Sequence, residues 1–212
     1  MSPQRTPPAG GGDAAPACGT WEAVRRRALP ELAAATGFTP HADGGLSFPF
    51  LGEPRRVDPE AGRLLRPRGA AWEPAADPLL ELVLRQYLCR ARRPLPENGP
   101  PVGVRDLREG HFFRGPHALD FGPLLARYGA DPEGFAATAR RLAAEPVALA
   151  DRAFRFRPLP RVPITLLLWT ADEEFPARMT ALFARTIEEV LPADAIWALV
   201  SRTVRALLDG RP

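Results

Sequence analysis

Eight residues from Val162 to Trp169 carry no charge, and Asp172, Glu173 and Glu174 then arrive together, followed by Phe175-Pro176. An apolar run of this length predicts a central strand buried on both faces, and the acidic triplet predicts its solvent end. Before the run, Phe154 and Phe156 alternate with Arg155 and Arg157, which is period two. After it, Arg178 to Ala184 reads as the next strand. Residues 191–210 carry Ile196, Leu199, Val200, Val204 and Leu207 on one helical face, with Pro192 at the first helical position.

Upstream the period alternates between helix and strand. Trp21, Val24, Ala28, Leu32 and Ala35 fall at helical spacing, with Thr20 as cap, Gly37 as stop and Pro30 expected to kink or divide the helix. Leu46, Phe48 and Phe50 alternate with Ser47 and Pro49, which predicts a hairpin turning at Gly52-Glu53. Pro49 and Pro54 place that hairpin at a sheet edge. Residues 58–76 read as irregular. Asp77-Pro78 then opens a helix whose stripe is Leu80, Leu84, Tyr87 and Ala91, widened by Val83 and Leu88. A short extended piece is expected at Val102 to Val104, and two further helices within 117–129 and 131–146. Strands gathered near the end after several helices predict an α+β fold, an antiparallel sheet covered by helices with its central strand at about 162–169. Residues 1–19, rich in Pro, Gly and Ala, read as a disordered tail, and 20–209 as a single domain.

Composition narrows the chemistry. All 28 basic residues are Arg, so neither a phosphate-loop Lys nor a Lys Schiff base is available. That bias reads as a GC-rich coding sequence. The 25 acidic residues offset the Arg to a net +3, and the short Arg runs lack interleaved aromatics, so no specific nucleic-acid partner is expected. Cys18, in the loose start, and Cys89, within a helix, form no C-x-x-C, and no disulfide framework, metal or cofactor is expected. The first residues lack the apolar core of a secretory signal, and no apolar run reaches the ~20 residues of a spanning helix. A soluble cytoplasmic protein is therefore expected, with a small molecule or a partner protein as its ligand and its oligomeric state open.

Pro160-Arg161-Val162-Pro163, Leu168-Trp169, Asp172 to Pro176, Leu182-Phe183 and Leu191-Pro192 form a set that resembles the prokaryotic family of domain of unknown function 3786. "FLGEPRRV" and "FGPLLARYGADPEGFAATARRL" extend the likeness over roughly residues 20–208. The resemblance implies no assigned activity, but it hints at accessory work in anaerobic redox or corrinoid metabolism. An Asp typical of the family after Leu-Phe is Ala184 here, and Asp194 is followed by Ala195.

Three function classes follow. One is a non-enzymatic binding or accessory domain using the sheet end near Trp169, Asp172, Glu173, Glu174 and Arg161 for a small ligand. Another is an enzyme using Asp172, Glu173 or Glu174 as acid, base or metal ligand. The third is an interaction module docking through a sheet edge or the last helix. Against the second, neighbouring strand residues point to opposite faces, so three adjacent carboxylates converge only in a tight turn. The expected turn is exposed, with Asp172 or Glu174 near an Arg and Phe175 turned back into the core. His111 and His117, with Glu109 and Asp120, are the one His-and-acid cluster, but six residues apart they miss the helical ligand spacing. Trp169 and Trp197 read as core residues or, less simply, as a stacking platform. Ser2, Ser47 and Ser201 lie in no nucleophile motif.

Overall fold

The computed structural model describes residues 16–96 and 100–212. Most of the expected tail, 1–15, lies outside the described residues. The Thr20 hydroxyl accepts from Ala23 N at 3.2 Å and so caps α1 (Trp21–Arg25). Pro30 divides the helical stretch, as its missing donor requires. α2 (Leu29–Thr36) starts afresh there and stops at Gly37, whose φ of 77° only Gly adopts at little cost. Asp77 caps α3 (Pro78–Arg90) by accepting from Leu80 N at 3.0 Å. Arg27 closes the other end of α3, donating to Leu88 O and Ala91 O at 2.6 Å each. Cys18 and Cys89 are joined by a disulfide, their Cα atoms 5.8 Å apart, which ties the segment before α1 to α3. Seventy-one residues separate these cysteines, so no local spacing signals that they meet.

The first sheet is an antiparallel meander in chain order: β1 (Thr39–Pro40), β2 (Leu46–Phe50), β3 (Glu53–Asp58), β4 (Arg63–Arg68) and β5 (Ala71–Pro74). It corrects three expectations. The stretch 58–76 holds the β4–β5 hairpin, hidden from sequence because Arg63, Arg66, Pro67 and Arg68 are exposed and only Leu64 and Leu65 are buried. The β2–β3 turn is Leu51-Gly52, with φ of 49° and 88°, rather than Gly52-Glu53. Leu51 accepts a left-handed backbone because its side chain, 1% exposed, is anchored in the core. Finally, β2 and β3 are interior strands. Pro49 faces Pro54 where β1, paired only at Leu46-Ser47, and β4, paired only from Arg56 onward, do not reach. The prolines thus sit at local edges inside the sheet.

The second sheet has the order β6 (Val102–Gly103), β10 (Arg178–Phe183), β9 (Val162–Trp169), β8 (Arg152–Leu159), β7 (Glu145–Pro146), all neighbours antiparallel. β9 is central, as its apolar run requires. Ile164, Leu166 and Leu168 join the main core, while Thr165 and Leu167 on the opposite face are buried as well. Three helices complete the chain: α4 (Gly122–Tyr128), α5 (Pro132–Arg141) and α6 (Ala193–Asp209). α6 packs against α3, α4 and α5, and Phe135 of α5 meets Phe154 of β8 edge-on at 5.6 Å. The fold is α+β with two antiparallel sheets rather than one, and their inward residues merge in one cluster. Among the described residues, no helix is long and apolar enough to cross a membrane.

Candidate functional site

β9 leaves the sheet at Trp169. Thr170 follows, and its N–H and hydroxyl both donate to Asp151 Oδ2 at 2.9 Å. The Thr170 amide first, and its hydroxyl second, hold the Asp151 carboxyl below the usual carboxylate range, with Arg152 and Arg178 adding to the effect. Asp172 then builds the turn. Its Oδ1 accepts from Glu174 N at 2.9 Å and Phe175 N at 2.7 Å, while its own N–H donates to Phe175 O at 3.0 Å. Arg178 opens β10 directly opposite Trp169, and its guanidinium lies 4.4 Å from the Trp169 ring centroid. Asp151, Trp169, Thr170, Asp172, Phe175, Pro176 and Arg178 line a cleft of about 470 Å³.

Several sequence expectations change here. Phe175 is 66% exposed and lines the cleft instead of entering the core. The turn closes on itself through Asp172 beyond the last ladder pair, Trp169–Arg178, so Phe175 is carried past the end of the sheet. Glu173 and Glu174 are exposed and do not line the cleft. Among the described residues, none of the three acids has an ion pair within 4.0 Å, although Asp172 lines the same cleft as Arg178. Arg161 lies in the turn before β9, beside Gly37 and about 26 Å from Trp169 at ~3.3 Å per strand residue. It is not part of this site. Sequence reasoning missed Asp151 and Thr170 as a pair. Antiparallel folding of β8 on β9 brings Asp151 there, since Arg152 faces Leu168.

The histidines do not converge on one cavity. His117 stacks on Phe112 at 4.4 Å and meets Trp197 edge-on at 6.3 Å. His111 instead lines a second cleft, of about 910 Å³, on the other side of β10. Glu109 accepts from Ala193 N at the start of α6, and Asp120 accepts from Gly122 N, so both acids of that cluster serve the backbone. His41 Nε2 pairs with Ser47 Oγ at 2.8 Å. Among the described residues, no three His, Cys, Asp or Glu side chains gather as a metal site requires.

These features define an α+β protein whose second sheet carries an aromatic, mixed-charge cleft at one strand end. The chain belongs to the family described as Domain of unknown function (DUF3786), whose model matches residues 28–206. No curated protein and no solved structure matches it.

Proposed function

We propose that this domain is a non-enzymatic binding protein, and that the cleft beside Trp169 holds a small ligand with a flat apolar part. The observation that carries this is Phe175, a large aromatic left 66% exposed on a turn that Asp172 holds in place. An exposed Phe gains nothing for the fold, yet here it faces a cleft shared with the Trp169 ring. Arg178, already stacked on Trp169, offers a second flat surface and a charge. Asp151, Thr170 and Asp172 supply polar groups to orient the ligand. An enzymatic role for the acidic triplet has less support, because Asp172 is committed to the turn and Glu173 and Glu174 face solvent.

Native mass spectrometry of protein purified anaerobically from its own host tests this. The expected result is an added small mass on the wild type that the Phe175→Ala/Arg178→Ala variant loses. A wild type with no added mass, or equal retention by the variant, overturns it. A co-purifying protein lost in the same variant makes the domain a docking module instead. The identity of the mass also reads out the redox or corrinoid link implied by the family.

The cytoplasmic location expected from the sequence competes with an oxidising one. The Cys18–Cys89 bond argues for an oxidising setting, since disulfides are rare in reducing cytosol. Alkylating cells before lysis decides between them: labelled thiols support a cytoplasmic protein, and protected cysteines exclude a reducing compartment.

A further inference from the structure

The second cleft is the larger cavity and belongs to no part of the site above. Its wall is the segment 104–121, three short 3-10 turns, closed on one side by Met179 and Thr180 of β10. The segment is irregular but firmly held. Leu107 and Phe113 are buried anchors. Glu188 accepts from both Arg108 N at 2.9 Å and Glu109 N at 3.0 Å. Gly110 passes so close to the preceding turn that a Cβ there would lie 2.6 Å from Val104 O. A wall fixed this way loses little freedom when a ligand binds.

Charge in this segment is sorted. Its acids are spent on backbone: Asp106 accepts from Gly103 N, Glu109 from Ala193 N and Asp120 from Gly122 N. Its basic residues Arg105, Arg108, His111 and Arg114 face the cleft, which no acidic residue lines. Arg108 alone of these has an ion pair among the described residues, with Glu188 at 3.6 Å. Some Arg side chains elsewhere meet carboxylates, as Arg66 and Arg68 meet Glu73 and Arg93 meets Glu189. Within this mostly polar lining Leu119, Phe121 and Met179, partly buried against the core, form an apolar patch.

We propose that this cleft binds an amphipathic organic anion, its apolar body against Leu119, Phe121 and Met179 and its carboxylate or phosphate met by Arg105 and Arg114. Uncompensated guanidinium groups at a concave rim attract anions and grip carboxylate or phosphate oxygens in a fork. The apolar patch of Leu119, Phe121 and Met179 favours an anion with an apolar body over a bare inorganic ion. The cleft's volume falls within the ~300–1,000 Å³ of small-molecule sites.

Isothermal titration with decanoate, decyl phosphate, decanol and inorganic phosphate, each below its aggregation limit, tests the proposal on the full chain. Decanoate or decyl phosphate should bind one per chain, with decanol and inorganic phosphate weaker by at least about tenfold. Arg105→Ala/Arg114→Ala, both at exposed positions, should weaken the anion by at least about tenfold and leave decanol unchanged. Added salt should weaken the anion alone. Equal affinity for decanol, equal affinity for inorganic phosphate, no binding of either amphiphile, or an unaffected double variant overturns it. So does binding to phosphatidylglycerol vesicles without binding to free amphiphile, which would make the rim a membrane-docking surface. The Phe175→Ala/Arg178→Ala variant should bind the amphiphile normally, which separates this cleft from the one beside Trp169.

Discussion

The two sheets solve the same problem with different materials. The second is built on β9, apolar and buried on both faces, with β8 and β10 pairing along nearly its full length. The first has no such strand. β2 and β3 are buried by alternate residues, and β4–β5 extends outward on Arg and Glu, with Glu73 holding Arg66 and Arg68. A meander needs only local turns to form its strands, so it tolerates Pro in two interior strands and a charged outer hairpin. β9 carries no charge, and its one proline, Pro163, lies before the first pair with β10 and opposite the irregularity in β8. Both candidate clefts adjoin β10 in the second sheet, where the scaffold is stiff enough to hold a site in shape.

The sharpest way to break this comparison is Leu166→Asp. Leu166 is fully buried at the centre of β9, and a carboxylate there has no partner. The variant should fail to fold, with no cooperative transition by circular dichroism. A soluble, cooperative variant would mean that the second sheet is no more core-dependent than the first.

Next comes the link between the first sheet and the helices. Arg202 of α6 pairs with Asp77 at 2.6 Å and lies over the Phe50 ring of β2 at 5.1 Å. Both charged side chains are mostly buried, at 14% and 17% exposure. Asp77→Asn keeps a capping oxygen for α3 but leaves the Arg202 charge unpaired. A loss of about 2–4 kcal/mol is expected in urea denaturation, somewhat below the cost of breaking a fully buried pair. A loss under about 1 kcal/mol would show the pair to be a surface contact in solution.

Phe175→Ala should change stability by less than about 0.5 kcal/mol, because the side chain lies mostly in solvent. A loss of about 3–5 kcal/mol, the cost of emptying a buried Phe site, would place Phe175 in the core, as the sequence pattern suggested.

The smallest effect lies at the rim of the first sheet. A hydrogen bond from Arg56, then one from the Gly45 amide, pushes the Asp43 carboxyl down from 3.8 to about 2. A depressed carboxyl contributes stability that is complete above its unfolded value and is lost as the pH falls through the folded one. Asp43→Asn should therefore flatten the fall in melting temperature between pH 3.8 and about 2 and leave its slope unchanged above that window. Identical profiles would mean that Asp43 and Arg56 do not pair in solution.

Much of the fold was legible because periodicity and caps are local. Thr20, Pro30, Gly37 and Asp77 act within a turn or two of themselves, and an unbroken apolar strand such as 162–169 has no stable place except a sheet centre. Membership of the family was legible for the same reason, since its pieces are short contiguous stretches around Trp169 and the acidic turn. The acidic turn was rightly located, but what it does with Phe175 was not, because that depends on which amides Asp172 accepts.

Other features belong to tertiary structure alone. The Cys18–Cys89 bond joins residues 71 apart, and the His111–His117 pair separates because their turns face different neighbours. The placing of Asp151 is the clearest case. A regular hairpin through Leu159 and Val162 would set Asp151 opposite Thr170. An irregularity between Phe156 and Leu159 shifts the register by one, so that Arg152 faces Leu168 and Asp151 falls opposite Trp169. From there its carboxylate takes both the amide and the hydroxyl of Thr170. Sequence determined that β8 and β9 pair; the bulge decided which side chains meet at their end, because a shift of one residue exchanges the two faces of a strand.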